Sequence, residues 1–182
     1  MNPSIATRPP ELEYPESDGQ PMADNTLQFL WITTIKDNLD ALFREQADVF
    51  VAGDLLWYPE EGNPRVRSAP DVMVAFGRPK GNRGSYQQWR EGGIPPQVVF
   101  EVPSPGNRSG ELLDKALFYS RYGVEEYYLL DPETGSVAGQ RRGPSGLQPI
   151  AEMSGWISPR LGIRFEPGSR GFPLFHPTGG PS

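Results

Sequence analysis

Residues 96–132 decide the fold, and they read PQVVFEVPSPGNRSGELLDKALFYSRYGVEEYYLLDP. Their first apolar run, Val98–Val102, is typical of a strand inside a sheet that is covered on both faces. Arg108–Tyr122 then predicts a helix, and Tyr127–Leu130 predicts a second buried strand. Within the first strand lies one carboxylate, Glu101. A buried acid is costly unless it has a partner, so Glu101 is the first candidate functional residue.

The elements on either side of this stretch define the fold class. The sequence predicts a first helix from Thr26 to between residues 43 and 46, strands at Val49–Trp57 and Asp71–Phe76, a short helix at Ser85–Glu91, a hairpin from Ser136–Gln140 and Gln148–Ile150, and a strand at Leu161–Phe165. The order helix, three strands, helix, strand favours an α/β fold with a mixed central sheet, helices on both faces and C-terminal β additions. The strand–helix–strand unit predicts a parallel pair, and the three earlier strands could be antiparallel.

The chain length of 182 residues suits one domain. Residues 1–25 are polar and rich in proline, so we expect a loosely ordered N-terminal arm. Residues 26–165 form the predicted single domain, and residues 166–182 form a Gly/Pro-rich tail.

Composition excludes several classes of function. The chain has no cysteine, so it can have neither a disulfide framework nor a thiolate metal site. No secretory leader and no apolar run of roughly 18 residues are present, which predicts a cytoplasmic protein that does not enter the membrane. The single histidine, His176, lies in the tail, which argues against a Ser-His-Asp triad, and no P-loop or dinucleotide fingerprint occurs.

Two acids and a lysine form the candidate catalytic set. Asp71 begins one strand and Glu101 lies near the end of the next, so an antiparallel pairing would bring the two carboxylates together. Oxygen ligands without histidine or cysteine favour Mg²⁺ or Mn²⁺. Lys115, on the following helix, could orient an attacking water or stabilise developing negative charge. Together these groups predict metal-assisted phosphodiester hydrolysis.

Each member of this set also has a structural interpretation. Asp71 could be a turn residue, and Glu101 could pair with an arginine as a structural contact. Lys115 could form a surface pair with Glu111 at a spacing of i,i+4. A structural protein whose buried acid and lysine pair with each other would satisfy the same pattern.

A basic segment adds a candidate nucleic-acid contact. The net charge of −6 argues mildly against non-specific nucleic-acid binding, but residues 65–90 carry six basic side chains and one acidic side chain. Within loop 77–96, basic and aromatic residues alternate, which suits phosphate contact and base stacking, although a packed surface loop is the alternative. The candidates for DNA contact are Arg78, Lys80, Arg83 and, at the helix start, Arg108.

Three segments, PDVMVAF (70–76), VVFEVPSPGNR (98–108) and ELLDKALFYSRYGVEEYYLLDPE (111–133), resemble the Uma-two family of putative restriction endonucleases, in the PD-(D/E)XK nuclease superfamily. The resemblance runs from about residue 18 to 165. It implies a restriction-endonuclease-like α-β-β-β-α-β core and a Mg²⁺-dependent endonuclease that acts on DNA.

The resemblance also implies roles for individual residues. The motif acids fall on Asp71 and Glu101. The usual lysine position is Pro103, which cannot serve, and the family's displaced lysine matches Lys115. Glu111 and Tyr119, one turn before and after that lysine, are candidates to contact its ammonium group. Asp24 matches a position where the family often has an acid, and it could be an outer metal ligand or a helix cap.

Two expectations concern the assembled protein. Cleavage of both DNA strands would favour a homodimer. The competing hypothesis is a catalytically silent nuclease fold that serves as a DNA-binding or interaction module.

Overall fold

The computed structural model describes residues 11–107, 109–168 and 173–175. Its elements, in chain order, are α1 (Thr26–Leu42), β1 (Val49–Gly53), β2 (Trp57–Tyr58), β3 (Val72–Phe76), β4 (Tyr86–Gln87), a 3₁₀ turn (Gln88–Arg90), β5 (Val98–Glu101), α2 (Ser109–Arg121), β6 (Glu126–Leu130), β7 (Val137–Gly143), β8 (Gly146–Pro149), β9 (Arg164–Phe165) and β10 (Leu174–Phe175). No helix in the described ranges is long and apolar enough to cross a bilayer.

A six-stranded mixed sheet forms the centre, in the order β1-β3-β5-β6-β7-β8. Strands β5 and β6 are parallel and are joined through α2, as the strand–helix–strand pattern predicted. The remaining neighbours in this sheet are antiparallel. The predicted α/β fold with a mixed central sheet is therefore confirmed.

The two helices cover opposite faces of the sheet. Successive side chains of β5 point to opposite faces, and alternate residues contact different helices. Val98, Phe100 and Val102 pack with α1, whose buried side chains include Ile32, Ile35 and Leu39. Val99 packs on the other face with Tyr119 of α2 and Tyr127 of β6. Glu101 has the same parity as Val99 and therefore points toward the α2 face.

Two predictions around the first strands were wrong. The strand predicted over Val49–Trp57 stops at Gly53, because Asp54 has a φ of 48°, a left-handed conformation that ends an extended strand. Trp57–Tyr58 instead pairs in parallel with Tyr86–Gln87 in a separate two-stranded sheet. The helix predicted over Ser85–Glu91 is consequently a short strand followed by one 3₁₀ turn.

The C-terminal β additions are present, with shifted boundaries. The hairpin is formed by Val137–Gly143 and Gly146–Pro149, and its register is fixed by the tight turn at Gly143 and Gly146. Gly146 has a φ of 109°, which a residue with a side chain rarely adopts. The strand predicted over Leu161–Phe165 is limited to Arg164–Phe165, and it pairs with Leu174–Phe175 from the predicted tail.

Residues 11–24 make specific contacts, whereas a loosely ordered arm was expected. The Tyr14 ring lies between Tyr58 and Trp89, at centroid distances of 5.3 and 4.9 Å. The buried hydroxyl of Tyr58 donates a hydrogen bond to the carbonyl of Pro15. This segment leads to the start of α1 and forms part of the wall of the site described below.

Candidate active site

Strand pairing brings the two motif acids together. Val72 of β3 lies opposite Phe100 of β5, so the next pair in this antiparallel register is Asp71 and Glu101. The N–H of Val102 donates to Asp71 Oδ2 at 2.8 Å, which holds the Asp71 carboxylate at this end of the strands. Asp71 directly precedes β3, and Glu101 is the last residue of β5. Because the two strands are antiparallel, these positions lie side by side.

Lys115 reaches the same point from α2. Its Nζ lies 3.0 Å from Glu101 Oε2. The Glu101 side chain is 3% exposed and that of Lys115 is 35% exposed, so the lysine connects a buried acid with the solvent. Burial alone would lower the pKa of Lys115, but the charges of Glu101 and Asp71 outweigh burial and raise this pKa above its usual value. The ammonium group therefore stays charged.

Tyr119 holds the other oxygen of Glu101. Its hydroxyl donates to Glu101 Oε1 and lies 3.2 Å from Ser68 Oγ. Its ring is fully buried and stacks on Trp57, with a centroid distance of 6.3 Å. Burial, followed by the nearby Glu101 charge, raises the pKa of Tyr119 well above its usual value, so this hydroxyl remains a donor. Lys115 and Tyr119 are spaced i,i+4 and thus fix both carboxylate oxygens from one face of α2.

The acids of the site repel one another. Burial, and then the charge of Glu101, raises the pKa of Asp71 well above the usual carboxyl range. Burial also raises the pKa of Asp54, with further contributions from Asp18 and Glu101. A cation bound beside Asp71 would offset the negative charge of the neighbouring Glu101.

Sequence reasoning missed Gln28, which links α1 to the site. Its Nε2 donates to the carbonyl of Val102 at 2.7 Å, and its Oε1 accepts from the Asp24 N–H at 2.8 Å. Gln28 is buried in line with Ile32, Ile35 and Leu39 of α1. A polar residue that continues a buried apolar stripe was the available signal, because such a residue needs a specific partner.

The two remaining candidates lie at the edge of the site. Asp24 lines the cleft, but the N-cap of α1 is Asn25, whose side chain accepts from the Gln28 N–H. Glu111 also lines the cleft, and its Oε2 lies 3.4 Å from Asn107 Nδ2. Its charge contributes to the raised pKa of Lys115, so it acts on the ammonium group through space.

These residues surround a cleft of about 360 Å³. In the described part of the chain no three acidic or histidine side chains converge on one metal position. The carboxylates of Asp71 and Glu101 are the groups that could hold a cation here, and no histidine or cysteine among the described residues lines the cleft. This pair fits Mg²⁺ or Mn²⁺, since such ions typically bind through one or two carboxylates and keep several waters.

Three cations of the candidate DNA-contact loop, Arg78, Lys80 and Arg83, contact groups within the protein. Arg78 and Arg83 form ion pairs with Glu91, at 2.7 and 2.6 Å. The Arg83 guanidinium also lies 3.9 Å from the centre of the Phe50 ring. Lys80 Nζ donates to the carbonyl of Val49 at 2.7 Å. The fourth candidate, Arg108, lies outside the described residues.

Comparison with known proteins agrees with this architecture. The model of the family Uma2, described as "Putative restriction endonuclease", matches residues 6–165. A crystal structure from Anabaena variabilis, described as a putative nuclease belonging to DUF820, is similar with a TM-score of 0.54 and 14% sequence identity. The similarity covers 74% of this chain and 72% of that chain, and at this identity it shows the fold alone. A search of curated proteins found no match. The protein belongs to the Uma2 family of putative restriction endonucleases and has a nuclease-like fold.

Proposed function

We propose that this protein is a Mg²⁺- or Mn²⁺-dependent endonuclease that hydrolyses phosphodiester bonds of DNA. The observation that carries the proposal is the contact of 3.0 Å between Lys115 Nζ and Glu101 Oε2, beside Asp71 and in an open cleft. A lysine and two acids at one end of a sheet provide both a cation site and a fixed positive charge.

Each side chain has a distinct role in the proposed reaction. Asp71 and Glu101 would hold the divalent cation, which supplies Lewis acidity to water and phosphate oxygens. Lys115 remains protonated because of its raised pKa, so it would orient the water and stabilise phosphate charge and would not act as a general base. Tyr119 would keep the Glu101 carboxylate in position through its hydroxyl group. Glu111 and Asp24 would act at the rim of the cleft.

Plasmid cleavage in Mg²⁺ and in Mn²⁺ tests the proposal. We expect wild-type protein to nick or linearise DNA, and EDTA to abolish the activity. Asp71→Asn, Glu101→Gln and Lys115→Gln should each lower the rate by at least about 100-fold, because each removes a charge from the reacting centre. Lys36→Gln is the matched control, since Lys36 forms a surface pair with Asp40 on α1.

The results separate this activity from the alternative function. Wild-type protein that binds DNA but shows no metal-dependent cleavage would favour a catalytically silent DNA-binding module. Cleavage that survives all three substitutions would show that the site lies elsewhere.

The proposed assembly is a homodimer, because two active sites in one complex would favour cleavage of both strands, and the proposed location is the cytoplasm. Sedimentation velocity with and without duplex DNA tests this part independently. A protein that stays monomeric on DNA while it makes double-strand breaks would contradict it.

A further inference from the structure

The cleft is strongly acidic, which raises the question of how it could attract a polyanion. Its acidic lining residues are Asp18, Asp24, Asp54, Asp71, Glu101 and Glu111. Among the described residues, Lys115 is the only cation that lines it. A divalent cation would offset part of this charge, but the phosphates on either side of the scissile bond need positive charge outside the cleft.

Two arginines beside the cleft are available for that purpose. Arg65 and Arg67 lie in the loop of residues 59–69 between β2 and β3, and both are exposed. Neither side chain forms a hydrogen bond or ion pair within the described parts of the chain. By contrast, Arg78 and Arg83 of the later loop share Glu91.

The loop that carries these arginines is anchored to the catalytic elements. Ser68 exchanges two backbone hydrogen bonds with Trp57, at 2.8 and 3.1 Å, and its hydroxyl contacts Tyr119. Glu60 accepts from the hydroxyl of Tyr122, the residue after α2, at 2.8 Å. Ala69, two residues after Arg67, already lines the cleft. The loop that carries the arginines is therefore attached to Trp57, to Tyr119 and to the wall of the cleft.

We infer that Arg65 and Arg67 bind phosphate groups of the DNA backbone that flank the bond at Asp71 and Glu101. The inference rests on the proposed function, because it takes nucleic acid as the substrate. Asp71 is four positions after Arg67, so at no more than about 3.6 Å per residue their Cα atoms lie within roughly 14 Å of each other. That distance spans about four base-pair steps along the axis of the duplex, at roughly 3.4 Å each. Guanidinium groups suit phosphate because they can donate two parallel hydrogen bonds.

The test is the salt dependence of DNA binding in EDTA, where cleavage is blocked. Binding of a fluorescent 20-base-pair duplex is measured by anisotropy between 20 and 150 mM KCl for wild type and for Arg65→Gln/Arg67→Gln. We expect the double variant to bind more weakly at every salt concentration. The slope of log K against log[KCl] should fall by about 2, since each lost phosphate contact contributes about 0.9.

Two control proteins sharpen the test. Arg44→Gln removes an exposed arginine just beyond the far end of α1, and its slope should equal that of wild type. The triple variant Arg78→Gln/Lys80→Gln/Arg83→Gln removes three cations that already have partners within the protein. Its salt slope should differ from the wild-type slope by less than the slope of the Arg65/Arg67 variant does. Thermal unfolding of each variant confirms that the comparison is made between folded proteins.

The inference is overturned if the Arg65/Arg67 variant keeps the wild-type slope, if the triple variant loses more slope, or if wild type does not bind at 20 mM KCl. Failure of the proposed function looks different. A protein whose DNA binding depends on Arg65 and Arg67 but which never cleaves DNA would refute the nuclease and leave the phosphate contact standing. Normal cleavage of DNA by wild type, together with an unchanged salt slope for the Arg65/Arg67 variant, would refute the phosphate contact and leave the nuclease activity standing.

Discussion

Replacing Tyr119 by phenylalanine removes one hydroxyl group from the buried end of the site and leaves the ring in place. The hydroxyl donates to Glu101, which is 2% exposed, so the substitution leaves one carboxylate oxygen without its donor in a place that water hardly reaches. A hydrogen bond to a charged group contributes about 1.5–3 kcal/mol. We therefore expect the free energy of unfolding to fall by about 2 kcal/mol. For a chain of this size that corresponds to a fall in Tm of about 4–8 °C.

Tyr122→Phe is the matched control, because it removes the same atom from a tyrosine that directly follows the same helix. Its hydroxyl donates to Glu60 at 2.8 Å, but both groups lie near the surface, where water can replace the bond. We expect a change of about 0.5 kcal/mol or less. Both variants are measured by thermal and urea unfolding in EDTA at pH 7.5.

Magnesium affinity distinguishes a positioning role from a purely structural one. Tyr119 fixes the orientation of a proposed metal ligand, and the loss of such a partner typically weakens metal binding 10- to 100-fold. Titration calorimetry should show this loss for Tyr119→Phe and normal affinity for Tyr122→Phe. Equal stability of the two variants would refute the assigned hydrogen bond. A less stable Tyr119→Phe protein with unchanged magnesium affinity would refute the positioning role.

Three further predictions concern charge and the N-terminal segment. Asp71→Asn should stabilise the metal-free protein by about 1–2 kcal/mol at pH 8. The pKa of Asp71 is raised in the folded state, so the wild-type protein loses stability as the pH rises from the unfolded-state pKa toward the folded-state pKa. Below about pH 4 the two proteins should have the same free energy of unfolding. Added Mg²⁺ should raise the Tm of the wild-type protein only. An Asp71→Asn protein that is less stable than wild type at pH 8 would contradict the unfavourable burial of the Asp71 charge beside Glu101. Hydrogen bonds from Arg83 and Arg78 overcome the effect of burial and lower the pKa of Glu91. Glu91→Gln should therefore lower the free energy of unfolding by about 1–2 kcal/mol at pH 7, and by less as the pH falls below about 4. A loss of stability that does not depend on pH, measured by urea unfolding, would count against this ion pair. Tyr14→Ala should destabilise the protein by about 2 kcal/mol and speed cleavage of residues 11–24 by a glutamate-specific protease, and unchanged digestion would mean that the ring does not anchor this segment.

Regular periodicity explains which parts of the fold could be predicted from the sequence. The apolar runs at Val98–Val102 and Tyr127–Leu130 predicted two central strands correctly, and the order of elements was sufficient to expect that Asp71 and Glu101 converge. The parallel pair of β5 and β6 followed from the helix between them. These features depend on local pattern and on general rules of sheet topology.

The features that were missed depend on single backbone conformations or on distant partners. The left-handed conformation of Asp54 interrupts a stretch whose sequence is typical of one strand. The hydrophobic pattern of the sequence does not predict this interruption. Gln28 finds its partner at Val102, 74 residues away. The contact of both Arg78 and Arg83 with Glu91 was also missed, because the three residues come together only in the folded loop.

The position of Lys115 has a consequence for how the candidate site is maintained. Pro103 stands two residues after Glu101, so the ammonium group comes from α2, and the same helix supplies Tyr119 to the other carboxylate oxygen. The geometry of Glu101 therefore depends on how α2 is seated on the sheet. Arg142 of β7 controls part of that seating, because its guanidinium donates to the carbonyl of Ser120 at 2.6 Å, where α2 ends, and to that of Val124 at 2.9 Å. The C-terminal hairpin is thus coupled to the site through the end of α2, although it contributes no lining residue to the cleft.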